Sequence, residues 1–375
     1  MKIQLHDNNK HLAFAPLTLT RPVGNLRIGI LTNDERWKLL LPEVEVFFDT
    51  EKYLEGKFPM SSNAIVVNAC LIPNEELAMA VSNLAGNEQL MFEGGWIAKS
   101  GKGEVLVDYK GKEPILITER WHLYQKNGDV LKQDFEWLTS SRQSVQLSSS
   151  NTIIGDPNHI FLEEGAVVEA SILNTKSGPI YIGKNAEVME GSIVRGPFAM
   201  CESAGLKLGT KVYGPTTLGP HCKVGGEVNN VIFQSYSNKG HDGFIGNSVI
   251  GEWCNIGADT NTSNLKNNYG KVKTYSFEKE KVDQTEIQFM GLMMGDHSKC
   301  GINTMFNTAS VVGVSSNVFG AEFPPKYIPS FTWGMGEDLY DFNKAIESAN
   351  NMMIRRGKEL SNEELLILKH LSDKK

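Results

Sequence analysis

Residues 182–225 read IGKNAEVMEGSIVRGPFAMCESAGLKLGTKVYGPTTLGPHCKVG, and every sixth position is aliphatic: Ile182, Val188, Val194, Met200, Leu206, Val212, Leu218 and Val224. Four residues after each stands Ala186, Ser192, Phe198, Ala204, Thr210, Thr216, Cys222 or Val228, mostly small. Neither a helix nor an ordinary strand has a period of six. The period specifies a left-handed parallel β-helix of hexapeptide repeats, in which each aliphatic side chain fills a rung of a prism and small residues or glycines turn its corners. A sandwich of short strands would instead alternate with period two.

The ladder extends outward. Ile154, Ile160, Ala166 and Ile172 precede it; Phe244, Ile250 and Ile256 follow; and Met294, Cys300, Phe306, Val312 and Val318 form a last block. These 20 rungs predict six to seven coils, a prism about 30 Å long at roughly 4.8 Å per coil. The reading divides the chain into an α/β N-terminal domain (1–150), the prism (151–330) and a helical tail (331–375). In the first, 64–69 and 114–117 read as strands, and 75–84 and 134–141 as helices. Ser148 to Asn151 reads as the link into the prism, and Pro324-Pro325 as its end. In the tail, Phe342, Ile346, Ala349 and Met353 keep helical spacing, which predicts one or two amphipathic helices on the end of the prism.

With 375 residues and 41% hydrophobic content, two cores are within reach. A net charge of −7 excludes a general nucleic-acid binder but not a local basic pocket for small anions. Five cysteines without a pairing pattern fit a reducing cytoplasm, and no apolar run is long enough to cross a membrane.

Chemistry is expected where the ladder breaks. Ser237-Asn238-Lys239-Gly240-His241-Asp242-Gly243 sets a lysine and a histidine between glycines. Asn255, Asn264, Lys271 and Lys273 follow, and Asp296-His297 opens the last block. Acetyl transfer to a sugar-phosphate amine needs a base to take the ammonium proton, which suits His241. It needs cations for the phosphate, which suits Lys239, Lys271 and Lys273. Arg355 and Arg356 read as a helix surface, or else as a coenzyme clamp with Asp296. Zinc held by His221, His241 and His297 is the rival chemistry, but no closely spaced histidine pair supports it.

The stretch from Lys223 to Asn264, with Gly301-Ile302-Asn303 and Val312-Gly313, resembles the C-terminal half of bifunctional sugar-1-phosphate nucleotidylyltransferase/acetyltransferases. With Phe14-Ala15-Pro16-Leu17-Thr18-Leu19-Thr20-Arg21-Pro22-Val23 and Leu26–Thr32, the whole chain resembles a variant branch with a short N-terminal domain. The resemblance implies that His241 is the catalytic base, Asn255 and Asn264 sugar ligands, and Lys271 or Lys273 a phosphate ligand. It also implies a homotrimer that binds acetyl-CoA between prisms and acts on an amino-sugar 1-phosphate, glucosamine 1-phosphate first. Where the family has a tyrosine three residues after the base, this chain has Phe244. The glycine-rich phosphate loop is missing from the N-terminal domain, whose implied nucleotidyl transfer from a nucleoside triphosphate would rest on Arg21 and Arg27 as phosphate ligands, with Asn68 and Asp134 near Mg2+. The alternatives are nucleotidyl transfer alone and a non-catalytic trimeric scaffold that binds sugar nucleotides.

Overall fold

The computed structural model describes residues 1–336 and 338–374. A six-stranded sheet forms the N-terminal domain in the order Glu45–Asp49, Lys2–His6, Ile65–Asn68, Gly95–Lys99, Glu88–Phe92, Val105–Asp108. Its first three strands are parallel, in the register Phe48, Leu5, Val67, three apolar side chains that are all buried. The expected strand at 114–117 shrinks to Ile115–Leu116, a two-residue rung beside Leu71–Ile72. Helix α1 (Asn33–Leu40) starts from a Thr32/Glu35 capping box, and α2 (Glu75–Ser82) from Asn74, whose side chain accepts the Leu77 amide. The segment expected to be helical at 134–141 is the end of a much longer helix, α3 (Arg120–Thr139). Leu123, Tyr124, Asn127, Val130, Leu131 and Asp134 recur on one buried face of α3, the three-to-four spacing that keeps one stripe inward.

The prism is a parallel β-helix, as the period requires. One face stacks parallel strand segments beginning at Ile160, Ile180, Phe198, Thr216, Val231 (within Glu227–Phe233), Ser248 (within Phe244–Ile250), Met293, Val311 and Tyr327, nine levels rather than six or seven. The difference lies where the period departs from six. Before Ile180 the interior is filled by Leu162, Val168 and Leu173, while Ile154 is exposed, so the upstream rungs are out of phase with the ladder. After Leu218 and Val224 the chain cuts its corners. The next interior set is Val228, Phe233, Lys239 and Ile245, and Phe244 points outward. The prism also runs past Pro324-Pro325, where Tyr327–Ile328 pairs with Val311–Val312.

Between the rungs at Ile256 and Met294 the chain leaves the prism in a lysine-rich stretch, which forms a hairpin, Lys273–Ser276 with Lys281–Gln284, that folds back onto the N-terminal domain. There Arg120 Nη2 donates to Thr274 Oγ1 at 3.0 Å, and Tyr124 Oη donates to the Phe289 carbonyl at 2.7 Å. The tail is two helices, α4 (Phe342–Ile354) and α5 (Asn362–Asp373). Contrary to expectation, α5 does not cap the prism end. It packs against the N-terminal domain, with His370 stacked on Tyr53 at 4.3 Å and Lys57 paired with Glu364 at 2.7 Å.

Candidate active site

Consecutive residues of a strand face opposite sides, so the residue next to each inward rung faces out. On one prism face this gives an outward column in parallel register: Gly205, Lys223, Asn238, Asn255 and Lys299. At roughly 4.8 Å per strand, Lys223 and Lys299 stand about 14 Å apart with two carboxamides between them. Helix α4 ends over this column. Its C-cap is Arg355, and Arg356 Nη2 donates to Asn238 Oδ1 at 3.4 Å. Cations at a helix C-terminus also complement its dipole.

Column and helix end together enclose an open cleft of about 920 Å3. Lys207, Lys223, Lys299, Arg355 and Arg356 line it, with His241, Asn238 and Asn255; no described carboxylate does. Burial lowers the Lys223 pKa first, and the neighbouring Arg356 and Lys207 lower it further; burial also lowers Lys299. Cations packed this way without counter-charges are relieved by a bound anion. His241 is exposed on a corner loop between Gly240 and Gly243 and opens into the cleft.

The structure thus brings His241, Asn255, Arg355 and Arg356 together. It sets other candidates apart. Asn264 donates to Asn247 Oδ1 at 2.7 Å, and Lys271 is ion-paired with Glu286. Lys273 lines a second cleft, of about 670 Å3, with Lys266, Lys326 and Asn307. Lys239 is not a cleft residue. It is buried on a rung inside the prism, so a direct phosphate contact is corrected. Sequence reasoning missed Lys207, Lys223 and Lys299. Their signal was present, a lysine directly beside an inward rung residue, but a period-six search looks only inward.

The remaining expectations are corrected as well. Arg21 is spent on an interdomain clamp, with Nη1 3.0 Å from Glu252 Oε1 and Nη2 2.5 Å from Asp296 Oδ2. Asp296 also accepts from Thr20 Oγ1 and from the Glu252 amide, so it is buried in that clamp and does not line the His241 cleft. Arg27 is buried against the Ile30 and Gln234 carbonyls, and its backbone amide donates to Gln234 Oε1. Asp134 accepts two bonds from Arg36 and the amides of Ile30 and Leu31, all inside the core. Its lone pairs are committed, so it does not fit a magnesium ion. Asn68 Oδ1 accepts the Cys70 amide, and its Nδ2 reaches the Trp96 carbonyl at 3.4 Å. Among the described residues, no group of three or more His, Cys, Asp or Glu side chains is placed to hold a metal.

Comparison with known proteins bears out the resemblance. Residues 3–143 match a family model described as sugar nucleotidyl transferase. The chain is 19% identical over 175 residues to the uncharacterized acetyltransferase YaiX of Escherichia coli O6:K15:H31, a match covering 46% of this chain and 75% of that protein. It is 30% identical over 118 residues to the bifunctional protein GlmU of Methanocaldococcus jannaschii, a match covering 32% of this chain and 28% of that protein. A solved structure of the polySia-specific acetyltransferase NeuO aligns over 50% of this chain and 82% of its own, at 11% identity and a TM-score of 0.23.

Proposed function

We propose that this GlmU-like chain acetylates the amine of an amino-sugar 1-phosphate, with acetyl-CoA as donor and His241 as base. The observation that carries the reading is an exposed histidine opening into a cleft with five cations and no described carboxylate. A coenzyme bearing several phosphates suits that charge, and the carboxamides of Asn238 and Asn255 suit sugar hydroxyls. In the reaction His241 takes the proton of the sugar ammonium, and the freed amine attacks the thioester carbonyl. The C–S bond then breaks, and the departing thiolate takes a proton to leave free coenzyme A. Phe244 supplies no hydroxyl beside the base, so acceptor orientation falls to Asn255 and the lysines. We assign a homotrimer, with the cleft at the seam between prisms. Exposed Ile302 at the cleft and exposed Leu208 next to Lys207 are the apolar contacts such a seam needs.

For the N-terminal domain we propose nucleotidyl transfer to the sugar 1-phosphate, supported by its match to a sugar nucleotidyl transferase model. The commitment of Arg21, Arg27 and Asp134 to internal contacts favours a second reading for this half, a domain that binds sugar nucleotide without turnover. Pyrophosphate release from UTP or dTTP with a sugar 1-phosphate separates the two. For the prism, thiol release from acetyl-CoA with glucosamine 1-phosphate is compared between wild type and His241→Ala. Loss of a general base predicts a fall of about a hundredfold or more. Equal rates overturn the assignment.

A further inference from the structure

An interior rung of a β-helix is a place for aliphatic side chains, and Lys239 occupies one. It stacks in register on Val224, next to Ile256, and is 1% exposed. The shortened corners after Val224 put it there: the step from Val224 to Val228 is four residues and that from Val228 to Phe233 is five, instead of six each, so the lysine falls on the inward phase. Among the described residues no carboxylate pairs with it. Its ammonium donates instead to two carbonyls, Gly225 and His241, each at 2.8 Å. Room for it depends on Gly226, which has φ +70° and whose added Cβ would lie 2.8 Å from Nζ. Burial pushes its pKa down to about 8, so the charge costs the prism stability that an aliphatic residue there would not.

The carbonyl it grips belongs to His241, whose loop has glycine on one side and Asp242-Gly243 on the other. Gly243 has φ +110°, and glycines leave a loop free to wander. A base must be held to within a fraction of an ångström, and a misplacement of about 1 Å can cost roughly a hundredfold.

We propose that Lys239 is a positioning residue: from inside the prism it anchors the His241 carbonyl and so aims the imidazole into the cleft. The inference rests on the acetyl-transfer reading of His241, and the test keeps the two apart. Lys239→Met fills the rung with similar volume and removes the donor; Lys239→Gln restores an uncharged N–H. The expected result for Met is a melting temperature equal to or above wild type, with kcat for thiol release down about ten- to a hundredfold. KM for acetyl-CoA should stay within about twofold, because the cleft cations are untouched. Amide exchange of 240–243 should speed up, and the Gln variant should recover part of kcat. A folded Met variant with wild-type kcat and wild-type exchange overturns the proposal. So does failure of both variants to fold, which would make the lysine a prism-building residue. If wild type itself releases no thiol, the acetyl-transfer reading fails, and the exchange comparison still judges whether Lys239 holds the loop.

Discussion

Arg21→Met is the sharpest test of how the two domains are joined. The guanidinium lies between Asp296 and Glu252, and the three side chains are 6%, 5% and 23% exposed. Burial alone would raise the Glu252 pKa, but Arg21 overrides it and holds the group at about 2, down from 4.5. That shift is worth roughly 3 kcal/mol at about 1.4 kcal/mol per unit, and nearer 2 once the exposed part of Glu252 is screened. Methionine keeps the stem's bulk but leaves two carboxylates without their cation. The expected destabilisation at pH 7 is therefore about 3 kcal/mol, at the lower end for breaking a buried pair. The pH dependence has a definite sign. A carboxylate whose folded pKa is depressed contributes stability above its unfolded pKa and loses it as pH falls through the folded one. The gap between wild type and variant should thus narrow between pH 4.5 and pH 2. Urea denaturation at pH 7 and pH 3 reads both quantities. A variant within about 1 kcal/mol of wild type at pH 7, or a gap that does not change with pH, refutes the clamp. If Arg21 were a phosphate ligand, the variant would keep its stability and lose pyrophosphate release.

Two other outcomes follow from the buried charges. Asp134→Asn leaves the fully buried Arg36 without its carboxylate and should cost about 3–5 kcal/mol in denaturation; a variant of normal stability with altered magnesium dependence would return Asp134 to the metal role. Burial pushes the His297 pKa down to about 4, so below pH 6.5 the unfolded chain binds a proton that the folded one refuses. Stability should fall by roughly 3 kcal/mol from pH 6.5 to pH 4 and level off below, and His297→Gln should flatten that slope relative to wild type; parallel pH profiles would show that His297 is not the group responsible.

The prism was legible in the sequence because the requirement is local and repeats: each coil needs an inward aliphatic and a tight corner, and 182–224 supplies both in one register. His241 was legible for the converse reason, a charged motif between glycines that packing does not call for. Helix α5 carried a capping box at Ser361/Glu364, but nothing in its own spacing said which surface its apolar face would meet.

The period of six by itself determined the architecture of half the chain, and its break marked the stretch where we propose the chemistry. Tertiary structure decided which way each charge points. Lys223 and Lys299 face the cleft while Lys239 faces the core, because two shortened corners shift the phase by an amount that no fixed period records. Arg21 and Asp296 are 275 residues apart in the chain, yet each neutralises the other at the domain junction. Long-range pairing of buried charges depends on where distant segments meet, and the spacing of residues along a chain does not encode that.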